Sequence, residues 1–432
     1  MSTQCVKCEE GKAIILVGTN GSFCKECFLK YFTHKFRAAL GKHPVVRYDD
    51  KVAVAFSGGL NSSAMLHVLL ESLSPLSFKR LKFHPGIVFV DETVLLPEEK
   101  NYEIYLNEIE SIMKASGLPY HIVKLEEILS IIDDTVIENN DDTAQTCNLR
   151  ELFDSIKSIT SKQELLYRLR CKLLTYKAKE LGYQHIFLGE TSSRLAINIL
   201  SNIAQGQGAH LSLDTGFTDN GRYLGINLLR PLRDIGAKEI AVYTNINKIQ
   251  SVFLPNFSTK VPATSSIQRL TEDFIVSLTS DFPATETTVY RTSNKLEMMK
   301  NSKKEENKDT NENCFLCCGP LDTQIKEDNA SALQAIEFTE NLSNGIFGTA
   351  ENPHLPHDLK STSKLPQSDS GDDYCETQEK TMVNLCHSCK ILHKDVNTEV
   401  NFDPIFEHLF KNSSKVTNEE MRKQLEDVLL DS

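Results

Sequence analysis

Eight of the chain's 12 cysteines fall in four C-x2-C pairs, Cys5–Cys8 with Cys24–Cys27 near one end and Cys314–Cys317 with Cys386–Cys389 near the other. Two thiols separated by two residues reach one ion from a single tight turn, and two such turns complete a closed tetrahedral site. In the first set 15 residues separate the pairs, the spacing of a two-knuckle zinc module. Gly11 and Gly21 allow turns beside the knuckles, and IILVG between them reads as a short strand. In the second set 68 residues intervene. Loop-closure entropy grows only with the logarithm of length, so a long solvated excursion is tolerated. Structural zinc is therefore expected on Cys314, Cys317, Cys386 and Cys389, with Cys318, Cys375, His387 and His393 as competing ligands. Unpaired or differently paired thiols are the other reading of either set. A closed four-cysteine site is chemically inert, so the clusters constrain shape and leave the reaction open.

The chain has 432 residues, 40% hydrophobic and 25% charged, which suits two or three folded units with a sizeable core. No apolar run approaches the ~20 residues of a membrane span. The opening MSTQCVKCEEGK lacks a charged-then-apolar signal region, so a cytoplasmic location without membrane partners is expected. A net charge of -12 looks wrong for a nucleic-acid binder. It is unevenly spread, however: between Cys318 and Cys386 there are 12 acidic and 4 basic residues, whereas Glu151–Ile240 has 9 acidic and 12 basic. Global acidity thus does not exclude RNA.

Along the chain, FCKECFLKYFTHKFRAAL reads as a helix with Phe28, Tyr31, Phe32 and Phe36 on one face. KVAVAF, GIVFVDE, HIVKL, HIFLGE and LGINLLRPLRD read as strands alternating with helices, Asn101–Ala115 among them with Ile104, Leu106, Ile109 and Ile112 inward. A polar stretch, IENNDDTAQTCN, interrupts before the long helix ELLYRLRCKLLTYKAKELG. Short apolar strands alternating with helices indicate a parallel sheet covered on both faces. The expected organisation is an N-terminal four-cysteine module and helix (1–45), an α/β domain (46–282), a charged linker (283–313) and a C-terminal cysteine-pair module (314–432). A disordered acidic insert at about 319–385 interrupts that last module.

The stretch most informative about chemistry is VAVAFSGGLNSSAML, where a strand runs through Ser57-Gly58-Gly59 into a helix starting near Asn61. Glycines permit a tight turn, and the N–H groups of a helix start seat an anion. Ser57, Ser62 and Ser63 are candidate hydroxyl donors to the same oxygens. No G-K-[ST] follows, so this is not a Walker A loop, and it is not the dinucleotide G-x-G-x-x-G. Asp91, closing GIVFVDE, is placed at the carboxyl edge where ligands bind such sheets.

This loop resembles the S-G-G-x-D-S loop of the PP-loop ATP pyrophosphatases, the adenine nucleotide alpha hydrolase-like fold. The fold class is accordingly α/β, a parallel-sheet PP-loop domain flanked by zinc modules. With cysteine pairs on either side, the chain is similar to the zinc-containing tRNA 2-thiouridylases, and within them to the partner of a catalytically equipped subunit. SGGLNSS, LGETSSRLAINILSNIAQGQG, LLRPLRDIGAKEIAVY and LCHSCK carry the resemblance. It implies ATP and magnesium at the loop, with Ser57, Gly58, Gly59, Asn61, Ser62, Ser63 and Asp91 as nucleotide-binding residues. In active members ATP adenylates C2 of a uridine and sulfur displaces AMP, with a C-x-x-C pair and a third cysteine beyond R-P-L handling the sulfur or an iron–sulfur cluster.

Here the sequence departs from that pattern. Asn61 replaces the loop acid and Leu60 the residue that is often lysine. The family's G-H-x-x-D-D becomes Gly189-Glu190-Thr191-Ser192-Ser193. The central domain holds only Cys147 and Cys171, and none follows Arg230-Pro231-Leu232-Arg233 until Cys314. Cys171, on an apolar helix, reads as core, and Cys147, in a polar loop, is the one remaining sulfur-carrying candidate. No residue is assigned to catalysis. The resemblance implies a subunit contributing tRNA binding and assembly, whose partners are a catalytic PP-loop paralogue, tRNA and a thiocarboxylated ubiquitin-like carrier. The product would be wobble 2-thiouridine. Arg168, Arg170, Arg194, Arg230 and Arg233 are candidate phosphate contacts, each with a salt-bridged surface arginine as the alternative. Gly206 and Gly208 either end a helix or let backbone approach a ligand. The competing readings are a self-sufficient adenylating sulfurtransferase and a zinc-organised scaffold with a vestigial loop.

Overall fold

The computed structural model describes residues 4–293 except 18–20, 78–79, 97–101, 133–141, 221, 224, 256, 258 and 260, together with 295, 314, 316–319, 321 and 385–396. At the N-terminus β1 (Ile15–Leu16) and β2 (Ser22–Phe23) pair antiparallel and lead into α1 (Lys25–Lys42). The aromatic face expected of α1 forms: Phe28, Phe32 and Phe36 are fully buried, and Tyr31, half-buried, stacks on Phe23 at 5.0 Å.

The central sheet comprises β3 (Lys51–Ala55), β4 (His84–Asp91), β5 (Tyr120–Lys124), β6 (His185–Phe187), β7 (Thr218–Asp219) and β8 (Asn227–Leu229). Their order is β5-β4-β3-β6-β8-β7, parallel throughout except for β7, an antiparallel edge that the sequence pattern does not announce. The helices are α2 (Leu60–Leu73), α3 (Tyr102–Ala115), α4 (Glu127–Ile132), α5 (Asp142–Ser155), α6 (Ile159–Glu180), α7 (Ser192–Ala204), α8 (Leu211–Thr215), α9 (Ala237–Asn247), α10 (Ile267–Asp281), α11 (Thr285–Ser293) and α12 (His387–Lys394). Because successive strand residues point to opposite faces, Val52, Val54, Phe187 and Leu229 pack with α1, α2 and α9 on one side. Ala53, Ile186 and Leu228 pack with α5 and α6 on the other.

Several expectations are corrected. Ile104 is exposed, and Ile109 and Met113 carry the buried face of α3. The second half of the polar stretch is helical, so Cys147 lies on α5 and not in a loop. The fifth strand ends at Leu229, and Pro231, which has no N–H to pair, begins a turn. The charged linker does not begin at 283: α11 occupies its first third and packs on α7 and α8, with Tyr290 buried against Arg233. Residues 296–313 and most of the acidic insert lie outside the described residues.

Candidate functional site

The chain reverses its sideways progress between β3 and β6, and the Ser57–Ser63 bend sits at that switch point, where ligands bind open α/β sheets. Gly58 adopts φ +77°, and a Cβ there would come within 2.8 Å of Ile109 Cγ1, so only glycine fits. Its carbonyl accepts the Val252 N–H at 2.8 Å, which pins the bend to the segment after α9. Gly59 is the N-cap of α2 and carries no side-chain cap, so first-turn N–H groups are left without intrahelical acceptors. Those groups, with the exposed Ser57, can seat an anion.

The other two serines do different work from that expected. Ser62 Oγ donates to the Gly59 carbonyl at 3.0 Å and accepts from Ser57 N–H at 3.3 Å, while Ser63 Oγ donates to the Gly58 carbonyl at 3.3 Å. Both are buried and hold the shape of the bend. Asn61 is half-buried, and Leu60, 48% exposed, leaves the helix start without a cation. Asp91 Oδ1 accepts the Thr93 N–H at 2.9 Å, as a turn-forming acid does. The bend fits a phosphate; with Asn61 replacing the acid and Asp91 bonded to its own turn, no group of carboxylates that would hold magnesium is assembled beside it among the described residues.

The arginines divide sharply. Arg230, 1% exposed, donates to Glu190 and to the carbonyls of Leu213 and Gly216 at 3.2 and 3.0 Å. Arg168 is buried with Glu164 (2.7 Å) and Gln207 (2.6 Å), and Arg233 is buried with its guanidinium 5.0 Å from the Tyr290 ring centre. Arg170 grips Glu92 through Nε and one terminal nitrogen. Arg194 alone of the five is exposed. Arg168, Arg230 and Arg233 are therefore corrected to internal struts, and Arg170, its side chain 39% exposed, is held in an ion pair. The segment after β6 is structural as well. Glu190 holds Arg230, and Thr191 caps α7. Ser193 Oγ donates to Glu286 at 2.6 Å and accepts from Ala237 N–H at 2.9 Å. A Cβ on Gly189 would stand 3.4 Å from Ser62 N, so this segment packs directly on the start of α2. Cys171 is buried on α6, as expected of core, and burial pushes its thiol up to about 11.

Both cysteine sets converge. Within each, the four sulfurs lie within 4.8 Å of one another. A tetrahedral ion with sulfur ligands at about 2.3 Å requires sulfurs about 3.8 Å apart. Cys8–Cys24 and Cys317–Cys386 are each separated by 3.7 Å, so both sets fit zinc. In the first, a Cβ on Gly11 would collide with Cys24 at 2.8 Å. Burial pushes the Cys5 thiol up, but the N–H groups of Cys24, Cys8 and Lys7 outweigh it and leave it lowered to about 6, while burial and neighbouring sulfurs raise Cys27 to about 12. Four adjacent thiols cannot all ionise unaided, and a dication removes that conflict. In the second set Cys314, Cys317, Cys386 and Cys389 are all buried; Cys318, His387 and His393 stay outside the group, and Cys375 lies outside the described residues.

What the sequence pattern does not reveal is how the second set is fastened. The buried His210 ring stands against the turn of the first cysteine pair, 3.1 Å from where a Cβ on Gly319 would lie. Gly206 is left-handed (φ +73°), and a Cβ on it would strike the His387 ring at 2.7 Å, so this glycine admits the C-terminal module, whereas Gly208 has open space. Behind them Asp214 pairs with Arg222 at 2.5 Å and faces Arg168 at 3.9 Å; burial pushes its carboxyl up, but the two guanidinium groups outweigh that and hold it below the usual range. Arg222 also reaches Asp219 at 3.5 Å. Ser158 N–H donates to Asp395 Oδ2 at 3.0 Å, tying α12 to the start of α6. Gln207, His210, Asp214 and Arg222 carry no periodic or motif signal, since each is defined by partners distant in sequence.

A profile of the family described as "Cytoplasmic tRNA 2-thiolation protein 2" matches residues 266–391. A protein of that name from Xenopus tropicalis is 34% identical over 494 residues, covering 99% of this chain and 94% of its own. One from Homo sapiens is 32% identical over 451 residues, covering 91% and 87%. Among solved structures, the U34-tRNA thiolase NcsA from Methanococcus maripaludis, described with its 4Fe-4S cluster, superposes with a TM-score of 0.50 at 17% identity, over 69% of this chain and 91% of its own. That likeness establishes the PP-loop fold.

Proposed function

The chain belongs to the cytoplasmic tRNA 2-thiolation protein 2 family, and from that premise we propose that it is the non-catalytic subunit of a complex that thiolates tRNA at the wobble uridine in the cytoplasm. The partner is a PP-loop paralogue that supplies the reactive thiols, and the sulfur arrives on a thiocarboxylated ubiquitin-like carrier. The observation that carries this reading is the contrast inside one cleft. The phosphate bend keeps its geometry, with Gly58 left-handed and α2 uncapped. Around it, Glu190, Thr191, Ser193 and Arg230 are spent on internal bonds, and Cys171 is a buried, protonated thiol. Nucleophilic sulfur chemistry needs an accessible thiolate beside a partner group. In the complex this chain's residues bind and orient: Ser57 and the backbone at Gly58–Gly59 seat an anion, and the two zinc sites hold the walls of the domain. ATP, where bound, supplies the leaving group that activates the uridine.

Pyrophosphate release tests this. The purified chain with tRNA and ATP is expected to give none above background, and activity appears when the paralogue is added. Turnover by the chain alone that is lost on Asn61→Ala overturns the proposal in favour of a self-sufficient enzyme.

A further inference from the structure

A cavity of about 1160 Å³ opens at the edge of the sheet opposite the phosphate bend. Its walls are the outer face of α1, the end of α2 and the segments entering β3 and β4. β4 runs from this edge at His84 to the ligand edge at Asp91, and at 3.3 Å per residue the two lie roughly 23 Å apart. Lys30, His34, Arg37, Arg47, Arg80 and Lys82 all line the cavity, against a single carboxylate, Glu71. That carboxylate is engaged by Tyr243 at 3.3 Å and Thr33 at 3.5 Å. The acids beside the rim are engaged too, Asp49 with His84 at 3.4 Å and Asp50 with His185 at 3.0 Å. Lys30, Arg47, Arg80 and Lys82 are exposed. The Arg47 N–H donates to Asp50 at 2.6 Å and the Arg80 guanidinium to the Leu73 carbonyl at 2.7 Å, while among the described residues no carboxylate pairs with the charged ends of Lys30, Arg80 or Lys82. Tyr48, 68% exposed, stands in the same wall with Lys82 5.6 Å from its ring centre.

On a chain carrying a net charge of -12, a concave wall whose lining holds five Lys and Arg side chains against one carboxylate is a local feature with a cost: like charges held together repel, and an anionic ligand removes that repulsion. The spread of the cations along a wall suits a chain of phosphates better than one phosphate group, and an exposed aromatic ring among them suits stacking on a base or sugar. We infer that this groove binds the phosphate backbone of the tRNA substrate, away from the nucleotide being modified. The inference rests on the tRNA-thiolation reading above and adds where the RNA lies. The groove holds a stem while the modified base sits about 23 Å off at the bend, or at the partner's equivalent. The N-terminal zinc module thereby gains a task, since it sets the position of α1 and so of Lys30, His34 and Arg37.

Fluorescence anisotropy of a labelled tRNA, titrated with the full-length protein between 50 and 200 mM salt, tests it. The variant Lys30→Gln/Arg47→Gln/Lys82→Gln is expected to bind on the order of 10-fold or more weaker at the lower salt and to show a salt slope reduced by about 2 to 3. Lys30→Arg/Lys82→Arg is expected to bind as the parent does, and the thermal midpoint reports that each variant is folded. An unchanged affinity and slope in the triple variant overturns the groove while leaving the thiolation role intact. Loss of a co-purifying protein with tRNA binding unchanged overturns it in favour of a protein-docking surface. Failure of the parent chain to bind tRNA at 50 mM salt, alone and with its paralogue, overturns both.

Discussion

The two four-cysteine sites have the same ligands and opposite settings. The N-terminal set closes a short local loop on the face of the sheet that carries α1 and α2; Cys8 is exposed and Cys24 half-buried. The C-terminal set closes an excursion of 68 residues on the other face. All four of its cysteines are buried, in one apolar cluster with α6 residues such as Leu165, Leu169 and Leu173. A ligand set of one type therefore straddles the core boundary in one place, with Cys5 and Cys27 buried in the cluster on the sheet, and lies wholly inside the core in another. What separates them is how much of the remaining fold rests on each.

The largest expected effect follows from that difference. Structural zinc contributes about 10–16 kcal/mol in isolated zinc-finger peptides, and at the C-terminal site the loss also opens the core beside α6. Cys386→Ser is expected to lower the thermal midpoint by about 10 °C or more. Cys8→Ser is expected to lower it by a few degrees and to disturb chiefly α1. Scanning calorimetry with zinc stoichiometry measures both, and equal drops would abolish the distinction drawn here.

Next in size is the contrast among arginines. Removing Arg230 strands the Glu190 carboxylate, 14% exposed, and two carbonyls. Arg230→Ala is expected to cost about 3–5 kcal/mol in urea unfolding. Arg194, on the surface, is expected to change stability by no more than about 0.5 kcal/mol on the same substitution. A near-neutral Arg230→Ala would show that the strut is replaceable by packing.

The smallest effect distinguishes the two faces by pH. Asp214 has its folded pKa held below the usual carboxylate value by Arg222 and Arg168 against the opposing effect of burial. Its stabilisation is present in full above the unfolded value of about 3.9 and is lost as pH falls through the folded one. Amide exchange in α7 and α8 is therefore expected to rise below about pH 4, beyond any change in α1 and α2. Equal acid sensitivity on both faces would remove Asp214 from that role.

Much of the scaffold is legible in local pattern. GAKEIAVYTNIN becomes α9 over Ala237–Asn247, because its apolar period and a glycine before the first turn are local properties. The aromatic face of α1 and the strand–Gly-Gly–helix bend were legible for the same reason. The two-residue β7 is too short to show a period, and Ile104 was misplaced because it falls on the face of α3 that turns to solvent. At the candidate site the loop could be located from its residues, but the roles of Ser62, Ser63 and the arginines could not.

From the order of residues alone came the parallel α/β class, the cysteine pairs that could hold a metal and the absence of paired thiols near the bend, since each depends on neighbours or fixed spacings. Only the tertiary structure decided that Arg168 and Arg230 are buried struts, that the C-terminal cysteines sit in the core, and that exposed cations gather around one cavity. Charge partners are chosen in three dimensions. An arginine's string of neighbours does not say whether a carboxylate forty residues away will meet it, and that meeting determines whether it can ever touch a phosphate.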